Sequence, residues 1–211
     1  MYPQDSQMYF TGPRLAASAR YGRFVIPRPS ATVILLRGDA QELELLLVRR
    51  TPAAKFMAGH WVFPGGAVDA ADGDGQAGLR RAAVRELEEE ASVILPPEAE
   101  LVAFARWITP EQLAIRFDTW FYLAAAPADA SPRVDGVEIV DFRWLTPAVA
   151  LAEHADGGLE LAFPTRTQLE QLRMFGSAEH LLEHARAHEN AIRPVQPRIV
   201  GHGEAARIVL P

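Results

Sequence analysis

The sequence of 211 residues contains no cysteine, and only one of its 21 basic residues, Lys55, is a lysine. The absence of cysteine excludes disulfide bonds, a thiolate nucleophile and zinc sites with cysteine ligands. Long apolar runs are also lacking, since none approaches the roughly 20 residues that a membrane-spanning helix requires. The first residues show no apolar signal core, so we expect a cytoplasmic protein that does not enter a membrane.

An excess of positive charge is missing as well. The formal net charge of -6 provides no overall attraction to nucleic acid or to anionic lipid, so we expect neither as a partner. A polyanionic small molecule could still bind, but it would need metal ions or a local basic patch. The length and the hydrophobic fraction of 49% predict one compact domain of ordinary size with appended segments.

Strand-like apolar runs surround one central helix, and further helices follow. Residues 1–29 predict an irregular lead-in, residues 30–150 a core domain, and residues 151–211 a helical extension and tail packed on that core. This order predicts the α+β class or an α/β/α sandwich. The predicted strands are ATVILLRG (31–38) and ELELLLVRR (42–50) around a turn at Gly38-Asp39, then HWVFP (60–64) and residues 100–109, 116–126 and 137–145.

The predicted helices have recognisable starts and ends. The central helix runs from about Gln76 to Ser92, with Asp74 as a candidate cap. A second helix begins after Thr146-Pro147, because threonine caps helices and proline suits the first turn. Two more are predicted in residues 163–175 and 177–190, and the tail from residue 193 predicts either a terminal hairpin or a segment that wraps around the domain.

Four glutamates crowd the stretch VRELEEEASV, residues 84–93, where like charges would repel one another. At 3.6 residues per turn, Glu86, Glu89 and Glu90 share one helix face, while Glu88 points to solvent. The shared face borders an apolar stripe, which favours a function over a merely solvated acidic surface. The stripe consists of Ala83, Val84, Leu87 and Ala91.

Three converging carboxylates form a hard anionic patch that suits Mg²⁺ or Mn²⁺. Arg85 lies four residues before Glu89, close enough to orient it by an ion pair. Upstream, Gly65 and Gly66 allow the backbone to approach a ligand closely and to turn a carbonyl toward it. The alternative is an acidic surface helix with Arg85 as an ordinary ion-pair partner.

Residues 85–93, RELEEEASV, resemble the Nudix box, the signature of the Nudix hydrolases, with Gly66 as its first glycine. Ser92 stands where the pattern has its last glycine. The segment from Ala67 to Val84 is five residues longer than its counterpart in the pattern. Asp69 and Asp72 are therefore both candidates for the acidic position within it.

The resemblance implies a Nudix fold, an α/β/α sandwich with a mixed central sheet and additional C-terminal helices. It also implies metal-dependent hydrolysis of a diphosphate bond in a nucleoside diphosphate derivative. Glu86, Glu89, Glu90 and the Gly66 carbonyl would hold Mg²⁺ or Mn²⁺, and Glu86, Glu89 and Arg85 would be catalytic. Candidate general bases are Glu86, Glu89, Glu138 and Glu153.

A second resemblance narrows the substrate. Residues 46–51, LLVRRT, with Lys55, Gly59 and FPGG at 63–66, are similar to a pattern of Nudix enzymes that act on coenzyme A. Coenzyme A or acyl-CoA would yield 4′-phosphopantetheine (or its acyl form) and adenosine 3′,5′-bisphosphate. The substrate-binding residues would be Arg50, Lys55, Gly65, Gly66 and Arg116.

Other interpretations stay open. The substrate could be ADP-ribose, NADH or another nucleotide, or the chain could be a catalytically silent nucleotide sensor, and a homodimer is possible. Trp107, Trp120 and Phe121 could line a pantetheine or acyl pocket, although aromatic residues in strands more often belong to the core. We expect structural or surface roles for four of the six histidines, namely His60, His180, His184 and His188.

Overall fold

The structure is a computed structural model that describes residues 25–38, 42–201 and 206–211. Most of the predicted lead-in, residues 1–24, lies outside the described residues, as does Asp39 of the predicted turn.

One mixed sheet is built around the long strand β1 (Arg28–Arg37). It pairs in parallel with β6 (Phe117–Ala125) and antiparallel with β2 (Glu44–Arg50) and β4 (Gly65–Ala67). The order along the sheet is β3-β2-β1-β6-β5-β8, with β7 pairing with β2. The remaining strands are β3 (Trp61–Val62), β5 (Val102–Ile108), β7 (Ile139–Leu145) and β8 (Pro194–Val195).

Helices cover both faces of this sheet. Helix α1 (Gly75–Ala91) packs on one face, and α3 (Phe163–Leu172) and α4 (Ala178–His188) pack on the other. Because β1 is buried on both sides, its sequence is continuously apolar instead of alternating. Its alternate residues divide between two core clusters. Ala31, Val33 and Leu35 belong to the cluster that contains α1, and Ile34 and Leu36 to the cluster that contains α3 and α4.

The predicted α+β class and the α/β/α sandwich with a mixed sheet are confirmed, and each predicted helix is present. Thr146 caps α2 (Pro147–Ala155) as expected, since its hydroxyl accepts a hydrogen bond of 3.2 Å from the Val149 amide. Asp74 stands at the N-cap position of α1, but its side chain makes no capping hydrogen bond with the described residues. Of the helices described, none is long and apolar enough to cross a bilayer.

The glycine-rich segment before α1 forms part of the sheet. Residues 65–67 form strand β4, in which Gly66 lies opposite Ala31 and Gly65 opposite Thr32. A short 3₁₀ turn at Ala70–Asp72 follows and absorbs part of the lengthened segment before α1. The site-forming glycines are therefore held by the central strand of the sheet.

The C-terminal region is joined to the sheet at two places. Leu161 bridges Trp61, with the Trp61 amide donating to the Glu160 carbonyl at 2.8 Å. Strand β8 extends the sheet by pairing in parallel with β5. The predicted terminal hairpin is present as β9 (Arg198–Val200) and β10 (Arg207–Val209), although its tip at residues 202–205 lies outside the described residues.

At the C-terminal end of α1, Ser92 occupies the position where the Nudix pattern has its last glycine. Ser92 has φ 53° and ψ 28°, a left-handed conformation, and its amide donates to the Glu88 carbonyl at 2.8 Å. Glycine adopts this conformation without steric cost, which is why it is favoured at this position after a helix. The helix therefore ends as a glycine-terminated helix would, with serine bearing the steric cost.

Candidate active site

A cavity of about 540 Å³ opens beside the N-terminal half of β4 and the C-terminal half of α1. This size lies within the range of small-molecule sites in proteins. One end is lined by Gly65, Gly66, Glu86, Glu90 and Arg50. The predicted glycines and two of the three predicted glutamates thus meet at one place.

Two glutamate carboxylates of helix α1 lie directly against the glycines of β4. The Gly65 amide donates a hydrogen bond of 2.9 Å to a carboxylate oxygen of Glu90. A Cβ atom on Gly66 would lie 2.4 Å from the carboxyl carbon of Glu86, well inside contact distance. A side chain at position 66 would therefore displace the Glu86 carboxylate from its place against the strand.

The three glutamates differ strongly in exposure. Glu90 is 5% exposed, Glu86 is mostly buried, and the side chain of Glu89 is 58% exposed. Burial raises the pKa of Glu90 to about 8, against the lowering effect of the Gly65 amide. Burial also raises the pKa of Glu86, although the adjacent Arg85 guanidinium opposes it. The site therefore concentrates carboxylates that are costly to ionise without a nearby cation.

Arg85 is the cation at the centre of the cluster. Its guanidinium donates to Glu89 at 2.8 Å, to Glu86 at 3.0 Å and to the Ala67 carbonyl at 3.0 Å. The predicted ion pair between Arg85 and Glu89 is present. The same guanidinium also bonds to both carboxylate oxygens of Asp72, at distances of 3.0 to 3.3 Å.

Asp72 takes the acidic position that the sequence left open between two candidates. It is 5% exposed, and besides Arg85 it accepts a hydrogen bond of 2.8 Å from the Asp69 amide. Asp69 itself has a side chain that is 66% exposed and lies 4.0 Å from Arg85. The hydrogen bonds from Arg85 lower the pKa of Asp72, so it remains ionised at neutral pH.

The cluster fits a divalent cation in its chemistry. Its donors are carboxylate oxygens beside a glycine backbone, which is the ligand type that Mg²⁺ and Mn²⁺ prefer. The side chains are nevertheless spread out, because Arg85 contacts Glu86 and Glu89 while Glu90 turns to Gly65. Within residues 25–38, 42–201 and 206–211, no three acidic or histidine side chains lie together at metal-binding spacing.

The basic residues near the site differ in their surroundings. Arg50 lines the cavity, donates to the Phe56 carbonyl at 3.2 Å and lies 3.6 Å from Glu90. Arg28 also lines the cavity, although the sequence analysis did not select it. Lys55 is exposed on the loop after β2 and does not line the cavity.

Arg116 does not line the cavity. It is 5% exposed, and its guanidinium donates to the carbonyls of Val25 at 2.7 Å and Thr109 at 3.2 Å. These bonds hold the segment before β1 against the loop before β6. Its predicted contact with substrate stays a prediction, since Arg116 is not among the residues that line the cavity.

The two candidate general bases outside α1 are separated by the fold. Glu138 lines the cavity, and its amide donates to the Asp135 carboxylate at 2.9 Å, which fixes the end of the loop before β7. Glu153 lies on α2, where its carboxylate forms a two-point ion pair with Arg143 that lowers its pKa. Only Glu138 can face a ligand bound at the glutamate cluster.

The aromatic and histidine candidates divide in the same way. Trp107 and Phe121 line the cavity, whereas Trp120 stacks on Tyr122 at 6.4 Å on the other face of the sheet. His60 lies 3.4 Å from Glu160 and has a structural position. On helix α4 the rings of His184 and His188 stack on each other, with their centroids 4.2 Å apart.

Several cavity residues carry no signal in the sequence, because the fold brings them together from distant parts of the chain. The parallel pairing of β1 with β6 brings Ser30 opposite Thr119, whose hydroxyl oxygens are 3.3 Å apart. No local periodicity marks such a pair. The further lining residues include Thr32, Phe56, Phe117, Phe163 and Ile208.

Comparison with known proteins places this geometry in a family. The NUDIX domain pattern matches residues 26–162, which is more than half of the chain. The chain belongs to the Nudix family. The family match covers β1 to β7, α1 and α2, so it includes every residue of the glutamate cluster.

Individual relatives agree with this assignment. A protein of Caenorhabditis elegans that carries the name nudix hydrolase 7 is 28% identical over 181 residues, covering 69% of this chain. The chain spans only 60% of that relative's length.

Solved structures share the fold. A Nudix hydrolase from Alicyclobacillus acidocaldarius superposes with a TM-score of 0.68 at 23% identity, covering 76% of this chain and 97% of that one. The Nudix domain of Shewanella oneidensis NrtR, crystallised with ADP-ribose, has a TM-score of 0.54 at 25% identity. Its match covers 72% of this chain and 89% of that one.

The role of Asp72 leads to a stability prediction. Replacing Asp72 with Asn should lower the free energy of unfolding at pH 7 by about 2 kcal/mol, because Arg85 loses charged hydrogen bonds. The folded pKa of Asp72 is lowered, so its contribution is complete above the unfolded value of about 4 and is lost as pH falls through the folded value. Urea unfolding between pH 3 and pH 7 measures both effects.

Asp69→Asn is the matched control, since Asp69 is exposed and only 4.0 Å from the same guanidinium. Its unfolding free energy should stay within about 0.5 kcal/mol of the unmodified chain. Equal losses for the two variants, or no difference between Asp72→Asn and the unmodified chain at pH 7, would contradict the assignment of Asp72 as the Arg85 partner.

Proposed function

We propose that this chain is a metal-dependent hydrolase that cleaves the diphosphate bond of a nucleoside diphosphate derivative. The observation that carries the proposal is the seating of Glu86 and Glu90 against Gly65 and Gly66 at one end of a ligand-sized cavity. Membership of the Nudix family supports it. The complete set of glutamates favours an enzyme over a nucleotide sensor, because a sensor has no need of metal ligands for catalysis.

The chain's own residues would bind the diphosphate at this end of the cavity. Arg28 and Arg50 line the cavity and can offer charged hydrogen bonds to phosphate oxygens. Glu86, Glu89, Glu90 and the Gly66 carbonyl would hold Mg²⁺ or Mn²⁺. When bound, such an ion neutralises phosphate charge and lowers the pKa of an attacking water.

Glu138 is our proposal for the general base. It lines the same cavity as Glu86 and Glu90, and its backbone is held by Asp135. In the proposed reaction the water oxygen bonds to one phosphorus atom while its proton passes to the Glu138 carboxylate. The bridging P–O bond breaks, and the other phosphate leaves with the bridging oxygen. Arg85 would act as a positioning residue that holds Glu86 and Glu89.

The substrate we propose is coenzyme A or acyl-CoA. The support is the LLVRRT and FPGG resemblance, from which Arg50, Gly65 and Gly66 line the cavity. A second candidate is ADP-ribose, because a Nudix domain that is 25% identical to this chain was crystallised with it. Both ligands contain an adenosine diphosphate unit. They differ in the group attached to its outer phosphate and in the 3′-phosphate, which only coenzyme A carries.

A substrate panel with Mg²⁺ or Mn²⁺ tests the choice. Coenzyme A, acyl-CoA, ADP-ribose, NADH and a nucleoside triphosphate should be compared by kcat/KM, with products separated by chromatography. We expect the highest value for a coenzyme A derivative, with adenosine 3′,5′-bisphosphate as the nucleotide product. Efficient ADP-ribose cleavage beside no turnover of coenzyme A compounds would reject the first candidate, and no turnover of any diphosphate would reject hydrolysis.

The glutamate cluster can be tested within one helix. Glu86→Gln, Glu89→Gln and Glu90→Gln should each lower kcat on the best substrate by at least about 100-fold, because each removes charge that stabilises the transition state. Glu88→Gln is the matched control, since Glu88 belongs to the same run but is exposed. Circular dichroism should show retained folds, and activity that survives in all three variants would exclude the assigned site.

The proposed role of Glu138 as general base can be tested by comparing two glutamate variants. Glu138→Gln should lower kcat by about 10² to 10⁴-fold, the usual contribution of a general base. Glu153→Gln should leave kcat nearly unchanged, because Glu153 is paired with Arg143 outside the cavity. A larger loss of kcat in Glu153→Gln than in Glu138→Gln would reverse the assignment.

A further inference from the structure

The half of the cavity away from the glutamates is apolar. Strands β5 and β6 contribute Trp107, Phe117 and Phe121 to its wall. The loop between these strands adds Pro110 and Leu113. The indole N–H of Trp107 is buried and has no hydrogen-bond partner among the described residues, which fits an apolar setting. A substrate bound with its diphosphate at Gly65–Gly66 would therefore extend into this apolar compartment.

Part of the compartment comes from beyond the family match, which ends at residue 162. Phe163 and Pro164 line the cavity from the first turn of α3, and the Phe163 ring packs edge-on against Trp107 at 6.1 Å. Pro197 and Ile208 line it from the C-terminal tail. Two separate segments after the matched domain thus help to enclose a cavity whose polar end belongs to that domain.

The β9–β10 hairpin is held in place from the sheet side. Strand β8, just before the hairpin, pairs in parallel with β5 at Arg106 and Trp107. On the hairpin, Ile208 lies opposite Ile199, and Ile208 packs against the core cluster that contains Trp107. The Gln112 amide also donates to the Ile199 carbonyl at 3.5 Å. The hairpin is therefore a fixed element at the apolar compartment and not a loose tail.

We propose that this hairpin is an end wall of the compartment and that Ile208 is a specificity-determining residue. It would set the length of the apolar chain that a diphosphate substrate can carry, so that acyl derivatives of limited length are preferred. The inference rests on the proposed function for the position of the diphosphate. Burial of each additional methylene is favourable until the chain meets the Ile208 side chain, and a longer chain must then displace it.

Two variants change the wall in opposite directions. Ile208→Ala removes bulk and should raise the kcat/KM ratio of palmitoyl-CoA to acetyl-CoA by about fivefold or more. Ile208→Trp adds bulk and should lower the same ratio by about tenfold. A ratio is insensitive to partial unfolding, which would reduce turnover of both substrates equally. Val200→Ala is the matched control, because Val200 lies on the same hairpin, is exposed and does not line the cavity.

A binding measurement separates this inference from the substrate assignment. Butyl, octyl and dodecyl phosphate each carry a phosphate for the polar end and a chain for the apolar end. Calorimetric titration should show that Ile208→Trp raises the Kd of dodecyl phosphate by about tenfold. The Kd of butyl phosphate should change by less than about twofold. If coenzyme A compounds are not hydrolysed but this shift is seen, the substrate proposal fails and the end wall stands.

The opposite results are equally decisive. Chain-length profiles of both Ile208 variants that match the unmodified chain, in turnover and in alkyl phosphate binding, would overturn the inference. The same applies if Val200→Ala shifts the profiles as much as the Ile208 variants do, since the effect would then come from the hairpin's stability and not from its contact with the chain.

Discussion

The close seating of α1 on strand β4 is the constraint on which the site depends. Gly66 leaves the space that the Glu86 carboxylate fills, and the Gly65 amide binds Glu90. The core holds both partners in place, because β4 pairs with β1 and α1 packs across β1 through one buried cluster. A Cβ atom at position 66 would displace the Glu86 carboxylate, and one at position 65 would meet the backbone of Ala31 and Thr32.

This arrangement concentrates negative charge in a half-buried place, which costs free energy unless cations are near. Arg85 offsets that cost inside the protein by contacting Glu86, Glu89 and Asp72 together. Two arginines of α1 also bind the lengthened segment before the helix. Arg81 donates a hydrogen bond of 2.6 Å to the Asp72 carbonyl, and Arg85 donates one of 3.0 Å to the Ala67 carbonyl. The extra residues therefore do not loosen the site.

The cavity joins this charged end to an apolar end that the C-terminal region helps to build. Leu161 extends the sheet beside Trp61, and β8 extends it beside β5. Each attachment delivers neighbouring residues to the cavity, namely Phe163 after the first and Pro197 after the second. The appended segments are thus part of the same core, and the cavity's polar and apolar ends come from different parts of the chain.

Local periodicity in the sequence was sufficient for the elements and for the polarity of α1. The helix repeat predicts that Leu87 is buried, that Glu88 is exposed, and that Glu86 and Glu90 share one face. It can do so because the repeat depends only on residues that are close in sequence. Tertiary structure alone decided the rest. Asp72 rather than Asp69 pairs with Arg85, and Arg28 rather than Arg116 faces the cavity. These outcomes depend on the register of strands and turns far apart in the chain, which no local pattern encodes.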